Sequence, residues 1–273
     1  MTAATKSPLE QRYGAPSALV PAVWNPILDN LLAHRSVRRY QATPVPQGTL
    51  EVLVAAAQSA ATSSNLQSWS VIAVQDPARR QRFADIAGGQ AHIVQAPLFL
   101  VWVADLSRAK RQAEREGEVL EALDYLESLL FSSIDAALAA QNAVVALESL
   151  GLSSVYIGAL RNDIAAVSEE LKLPANSYPV FGLCVGYADP AYDGGVKPRL
   201  SQSLVLHHEQ YSIANEDQAI DAYSERLQAY YQSQQLKPVP WPELIRQRLQ
   251  SAVTLGGRVK LAQLLRSRGF SLD

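Results

Sequence analysis

The chain carries a single cysteine, Cys184, among its 273 residues. An intrachain disulfide is excluded, and so is any cysteine-rich metal cluster. The four histidines do not fill that gap. His34 and His92 are far apart in sequence, while His207 and His208 are neighbours whose side chains diverge in any strand. No metal-ligand trio is visible. A net charge of -2 and a pI near 6.1 give no footing for a general nucleic-acid binder or a membrane-surface binder. No uninterrupted apolar run is long enough to span a bilayer. The opening stretch MTAATKSPLEQRYG lacks the apolar segment of a signal peptide, so the expected setting is the cytoplasm. There is no internal repeat and no low-complexity tract. GxGxxG, the Walker loop, HExxH and GxSxG are all missing, which disfavours the Rossmann and P-loop routes to a phosphate.

What the chain does have is apolar residues, 48% of the total, enough for a sizeable core. Residues 1–23 are polar and broken by prolines and are expected to form a mobile or draped extension. Asn25-Pro26 reads as a cap and first turn, opening a short helix through Leu32. A second helix is expected from Thr49, ending in the polar cluster Thr62-Ser63-Ser64-Asn65. Trp69–Gln75, Leu98–Ala104 and Tyr178–Tyr187 read as strands, and Ser154–Leu160 as a strand or the approach to one, interrupted by Gly158. Leu98–Ala104 has the composition of a central strand covered on both faces. Ser133–Leu150 reads as a helix apolar nearly all round, and therefore buried. Residues 105–128 are charged and suit a surface excursion. Residues 219–232 suit an amphipathic helix, Pro238, Pro240 and Pro242 a linker, and 243–268 a basic helical tail broken at Gly256-Gly257. Cys184 falls inside a strand and is expected to be a small buried hydrophobe rather than a nucleophile. The pattern is α+β, close to a three-layer α/β arrangement: a central sheet covered by helices on both faces.

The most informative stretch is His34–Tyr40, HRSVRRY. Arginine forks beside a hydroxyl suit a phosphate group. A solvated charge run explains the same residues equally well on their own. Lys197-Pro198-Arg199 offers a second, stiff basic pair. The residues alone stop at a phosphate-ligand binder, enzyme or not.

HRSVRRY, ATSSNLQSWS, GGQAHI, DAALAAQNAVVALESLGLSSVYIGALRN and KLPANSYPVFGLCVGYAD with the later KPRL resemble the FMN-dependent nitroreductase superfamily. The likeness is greatest to its oxygen-insensitive NADPH nitroreductase and flavin reductase subgroup, and it runs through nearly all of residues 26–235. The resemblance implies a mixed sheet between helical layers and a homodimer with exchanged C-terminal segments and one FMN at each subunit interface. It divides the chain into an extension (1–23), an FMN-binding core (24–235) and a C-terminal tail packing on core or partner (236–273). By the same likeness His34, Arg35, Ser36 and Arg38 bind the phosphate and ribityl chain. Lys197 and Arg199 close on the phosphate or the ring edge, and Lys197 is the candidate electrostatic partner of the reduced flavin. Ser63, Ser64, Asn65 and Gln67 line the flavin from across the dimer. Gln90 approaches the ring or ribityl, and Tyr156, Ile157, Gly158 and Ala159 pass beside the ring.

The implied activity is NADPH-dependent, or NADH-dependent, two-electron reduction of nitroaromatics and quinones by a ping-pong route. Hydride passes through the flavin, so no side-chain acid, base or metal is needed. A reductase of free flavin or of a metal oxyanion such as chromate is the second expectation, and a flavin-binding module without turnover the third. No nucleic-acid or membrane partner is expected. The subgroup tends to carry arginines for the NADPH 2′-phosphate after the Tyr-Tyr helix. Here Tyr230–Lys237 offers only Lys237, with Arg246 and Arg248 further on.

Overall fold

The computed structural model describes residues 6–17, 23–192 and 194–273. The ends of the expected extension, 1–5 and 18–22, lie outside the described residues. The helices are α1 (Pro8–Tyr13), α2 (Pro26–Ala33), α3 (Thr49–Gln58), α4 (Pro77–Ile86), α5 (His92–Gln95), α6 (Ser107–Glu116), α7 (Leu126–Ser149), α8 (Ile164–Glu170), α9 (Glu216–Ser233), α10 (Trp241–Leu249) and α11 (Leu261–Ser267). The strands are β1 (Trp69–Val74), β2 (Leu98–Asp105), β3 (Ser153–Ile157) and β4 (Ser177–Gly186). The described residues within 36–193 and 256–273 form one compact unit, and those within 1–35 and 194–255 form the other.

The larger unit holds the sheet, in the order β1-β2-β4-β3. Its strand pairs are antiparallel, and a parallel bridge joins Ser36 to Ser154 on β3. The apolar run of β2 is buried along its length because β1 and β4 flank it and helices cover both faces. Alternation along β2 divides the core. Phe99, Val101 and Val103 pack with Phe83, Ile93 and Val167 from α4, α5 and α8. Leu98, Leu100 and Trp102 pack with Leu53 and Ala57 of α3 and Ala139, Ala143 and Leu147 of α7. Each buried Val, Leu, Ile or Phe among them contributes about 1.5–3 kcal/mol of transfer free energy, the alanines less. Register slips once, between Trp102 and Val103, where Pro179 of β4 has no N–H to give the ladder. A third cluster joins Ile164, Tyr178, Leu265 and Phe270, so residues of the chain's final segment pack inside this unit.

Two expectations about helices change. α7 begins at Leu126, well before Ser133, and it is not buried all round. Its alanine-rich side faces the sheet, while Leu126, Leu130, Ile134 and Leu138 are exposed. By length and composition α7 could cross a membrane, but its inner face is committed to the core. The second change is Pro242, which starts α10 rather than continuing a linker.

The smaller unit contains α1, α2, α9 and α10. α1 lies within the stretch expected to be draped. It is short but fully capped: Ser7 and Glu10 form a reciprocal capping box, Pro8 takes the first turn, and Gly14 closes the helix at φ 67°. Asn25 caps α2 by accepting from the N–H groups of Ile27 and Leu28.

Candidate functional site

The HRSVRRY stretch crosses from one unit to the other between Arg35 and Ser36. In the larger unit Val37 is buried and its N–H donates to the Ser154 carbonyl at 2.9 Å. The Tyr40 hydroxyl donates to the Val37 carbonyl at 2.7 Å. The first bond fastens the segment to the rim of β3, the second braces the segment internally, and Ser36 and Arg38 stay exposed. Arg38 has no ion-pair partner among the described residues. Burial, and after it the Arg38 charge, lower the His92 pKa and favour its neutral imidazole. His92 Nε2 and the Ser154 hydroxyl are buried with no hydrogen-bond partner among the described residues. Arg39 is used differently, with its guanidinium stacked 3.5 Å over the Tyr192 ring.

Beyond the Ser36 bridge, no described strand pairs with the outer edge of β3. Tyr156 and Ile157 end that strand, and Gly158 and Ala159 begin the following 3-10 turn. Tyr156 meets Phe181 edge to face at 4.9 Å, and burial followed by the Glu148 charge raises its hydroxyl pKa. Gln90 turns back on its own loop, its amide donating to the Ala87 carbonyl at 3.0 Å.

Ser63, Ser64, Asn65 and Gln67 stand together on one exposed loop, with Ser64, Asn65 and Gln67 in the left-handed region at φ 47°, 58° and 51°. Holding non-glycine residues there costs free energy, and a buried carboxylate offsets it. Asp135 of α7, 2% exposed, accepts from Thr62 Oγ1 at 2.6 Å, Ser63 N at 2.9 Å, Ser68 Oγ at 2.8 Å and Ser68 N at 3.2 Å. Burial alone would raise the Asp135 pKa, but these donors outweigh it and hold the carboxyl below its ordinary value. Sequence reasoning missed this residue. Its signal was a lone carboxylate in an alanine helix.

In the smaller unit the buried guanidinium of Arg12 donates to the carbonyls of Leu32 at 2.7 Å, His34 at 2.6 Å and Lys197 at 3.1 Å. The Arg199 N–H donates back to the Arg12 carbonyl at 3.0 Å. The His34 and Lys197-Pro198-Arg199 segments are thereby joined. Lys197 Nζ lies 3.5 Å from the Tyr231 hydroxyl and 5.0 Å from that ring's centroid, with no carboxylate partner among the described residues. Arg246 is held by Glu243 through two bonds of 2.7 and 2.8 Å, and Arg248 donates to the Thr254 carbonyl. Among the described residues no group of three His, Cys, Asp or Glu side chains could hold a metal ion. Cys184 is buried, and burial pushes its thiol pKa up, as expected of a structural cysteine.

The architecture is that of an α+β protein, a layered sheet with a cation-rich, acid-poor segment on the rim of its edge strand β3. Comparison with known proteins makes that class specific. The Nitroreductase family profile matches residues 31–187, and the profile of the Nitroreductase family, C-terminal domain, matches 197–273. The chain is 41% identical over 207 residues to an oxygen-insensitive NADPH nitroreductase of Salmonella typhimurium, covering 76% of this chain and 83% of the relative. It is 38% identical over 210 residues to an FMN reductase (NADPH) of Bacillus subtilis, covering 76% and 84%. The solved structure of B. megaterium NfrA2 superposes with a TM-score of 0.86 at 34% identity, covering 92% of this chain and all of that one. The chain belongs to the nitroreductase family.

Proposed function

We propose that this chain is an FMN-dependent NADPH oxidoreductase that reduces nitroaromatics and quinones by two-electron transfer in a ping-pong cycle. The observation that carries the reading is Arg38: an exposed guanidinium without an acid partner among the described residues, on a segment fastened to the edge of β3. Such donors fit a phosphate of about two negative charges. When bound, FMN accepts hydride from the nicotinamide and delivers both electrons to the acceptor.

The chain's own residues bind and orient. His34, Arg35, Ser36 and Arg38 hold the phosphate and ribityl chain. Lys197 and Arg199 add positive charge, with Lys197 stabilising the reduced ring. Gln90 and the backbone from Tyr156 to Ala159 bound the ring, the open edge of β3 offering its polar groups. Ser63, Ser64, Asn65 and Gln67 line the flavin of a second copy. That copy covers the exposed stripe Leu126, Leu130, Ile134 and Leu138, whose apolar area is ill-suited to water.

A second reading, reduction of free flavin, is favoured by the relative named FMN reductase (NADPH). One experiment tests both. The purified protein, loaded with FMN, is bleached by NADPH under argon, and recovery of the yellow colour is timed with a nitroaromatic, a quinone or free FMN. Rapid recovery with the nitroaromatic or quinone supports the first reading. Recovery with free FMN alone supports the second. A protein that cannot be loaded with FMN contradicts both.

A further inference from the structure

We infer that Arg12 is a positioning residue for phosphate recognition, setting the spacing between the His34–Arg35 and Lys197–Arg199 backbones. The inference rests on the flavin reading above but adds a residue that lies outside both family profiles, which match 31–187 and 197–273.

Arg12 is 7% exposed. Burying a guanidinium is costly unless its donors are satisfied by well-placed acceptors. Three of its acceptors are main-chain carbonyls, and these come from two segments remote in sequence. The Leu32 and His34 carbonyls lie at the C-terminal end of α2, which has no basic residue in its own last turn. Arg12 supplies that missing positive charge from another helix. The same fork reaches the Lys197 carbonyl, and the Arg199 N–H returns a bond to the Arg12 carbonyl. Carbonyls give a guanidinium acceptors of set direction and position, so the planar fork fixes separation as well as attraction.

The surroundings stiffen this tie. The capping box and the left-handed Gly14 set the ends of α1. A Cβ on Gly14 would come within 3.2 Å of Pro198 Cβ, so the end of α1 abuts the Lys-Pro-Arg segment. The Tyr223 hydroxyl donates to the Pro198 carbonyl at 3.3 Å. Arg12 itself touches no ligand in this account. It acts through the two segments that carry the donors.

The test compares FMN with riboflavin, which lacks the phosphate. Affinities of apo wild type, Arg12→Gln and Arg12→Lys are measured by quenching of flavin fluorescence, with the apo melting temperature of each recorded. Arg12→Gln is expected to weaken FMN by at least about tenfold, or about 1.4 kcal/mol. Riboflavin affinity should stay nearly constant, so the preference for FMN falls. Arg12→Lys keeps the charge without the fork and should be intermediate. Hydrogen exchange at the Arg199 amide should rise in Arg12→Gln. A merely structural role would lower the melting temperature while leaving the FMN-to-riboflavin ratio as in wild type, and that result would overturn the inference with the flavin reading intact. Wild type that binds no FMN would instead remove the flavin reading, and this inference with it.

Discussion

Asp135 Oδ2 lies 2.6 Å from Thr62 Oγ1, and through this bond the longest helix of the protein grips the polar loop that follows α3. The loop's left-handed residues could relax in many ways without such an acceptor. The carboxylate selects one of them.

That bond gives a pH dependence of definite sign. The folded Asp135 pKa lies below its unfolded value, so its contribution to stability is fully present above about pH 3.9. It is lost as pH falls through the lower folded value. Asp135→Asn should therefore destabilise the protein at neutral pH and flatten the acid limb of stability below about pH 4. Urea unfolding from pH 7 down to pH 3 measures both. Parallel acid limbs for variant and wild type would contradict the account.

Gly182 on β4 lies beneath the Phe99 ring, and a Cβ there would approach Phe99 Cζ to 2.5 Å. The ring cannot retreat, because Phe99 is fully buried. Gly182→Ala should cost about 1–3 kcal/mol through overpacking. A urea midpoint unchanged from wild type would show that the core has more slack than its packing indicates.

Ile134 is 55% exposed and stands in the apolar stripe of α7. If a second copy covers that stripe, Ile134→Lys should halve the mass seen in sedimentation equilibrium while leaving the far-ultraviolet circular dichroism unchanged. A wild type that sediments as a monomer would refute this part of the proposal.

Local signals were legible in the sequence and long-range ones were not. The β2 run LFLVWVA announced a central strand because burial on both faces demands unbroken apolar residues. Asn25-Pro26 marked the start of α2 through chemistry confined to one turn. Ser7-Pro8-Leu9-Glu10 carried an equally local capping signal, yet the surrounding prolines outweighed it and α1 was read as extension. The exposed side of α7 is invisible in composition, since an apolar residue facing a core and one facing outward look alike. Among the candidate residues, Ser63 to Gln67 do share one loop, and Ser36 does bridge to β3. Asp135, which holds that loop, and Arg12, which joins the His34 and Lys197 segments, depend on partners about twenty to nearly two hundred positions away, and no spacing rule reaches so far.

The central claim is that Arg35 and Arg38 hold the phosphate of FMN, and titration of the Arg35→Glu, Arg38→Glu double variant tests it most directly. Two lost charge-assisted contacts, replaced by repulsion, should weaken FMN by about a hundredfold or more while riboflavin binding changes little. FMN retained as tightly as in wild type would contradict the account.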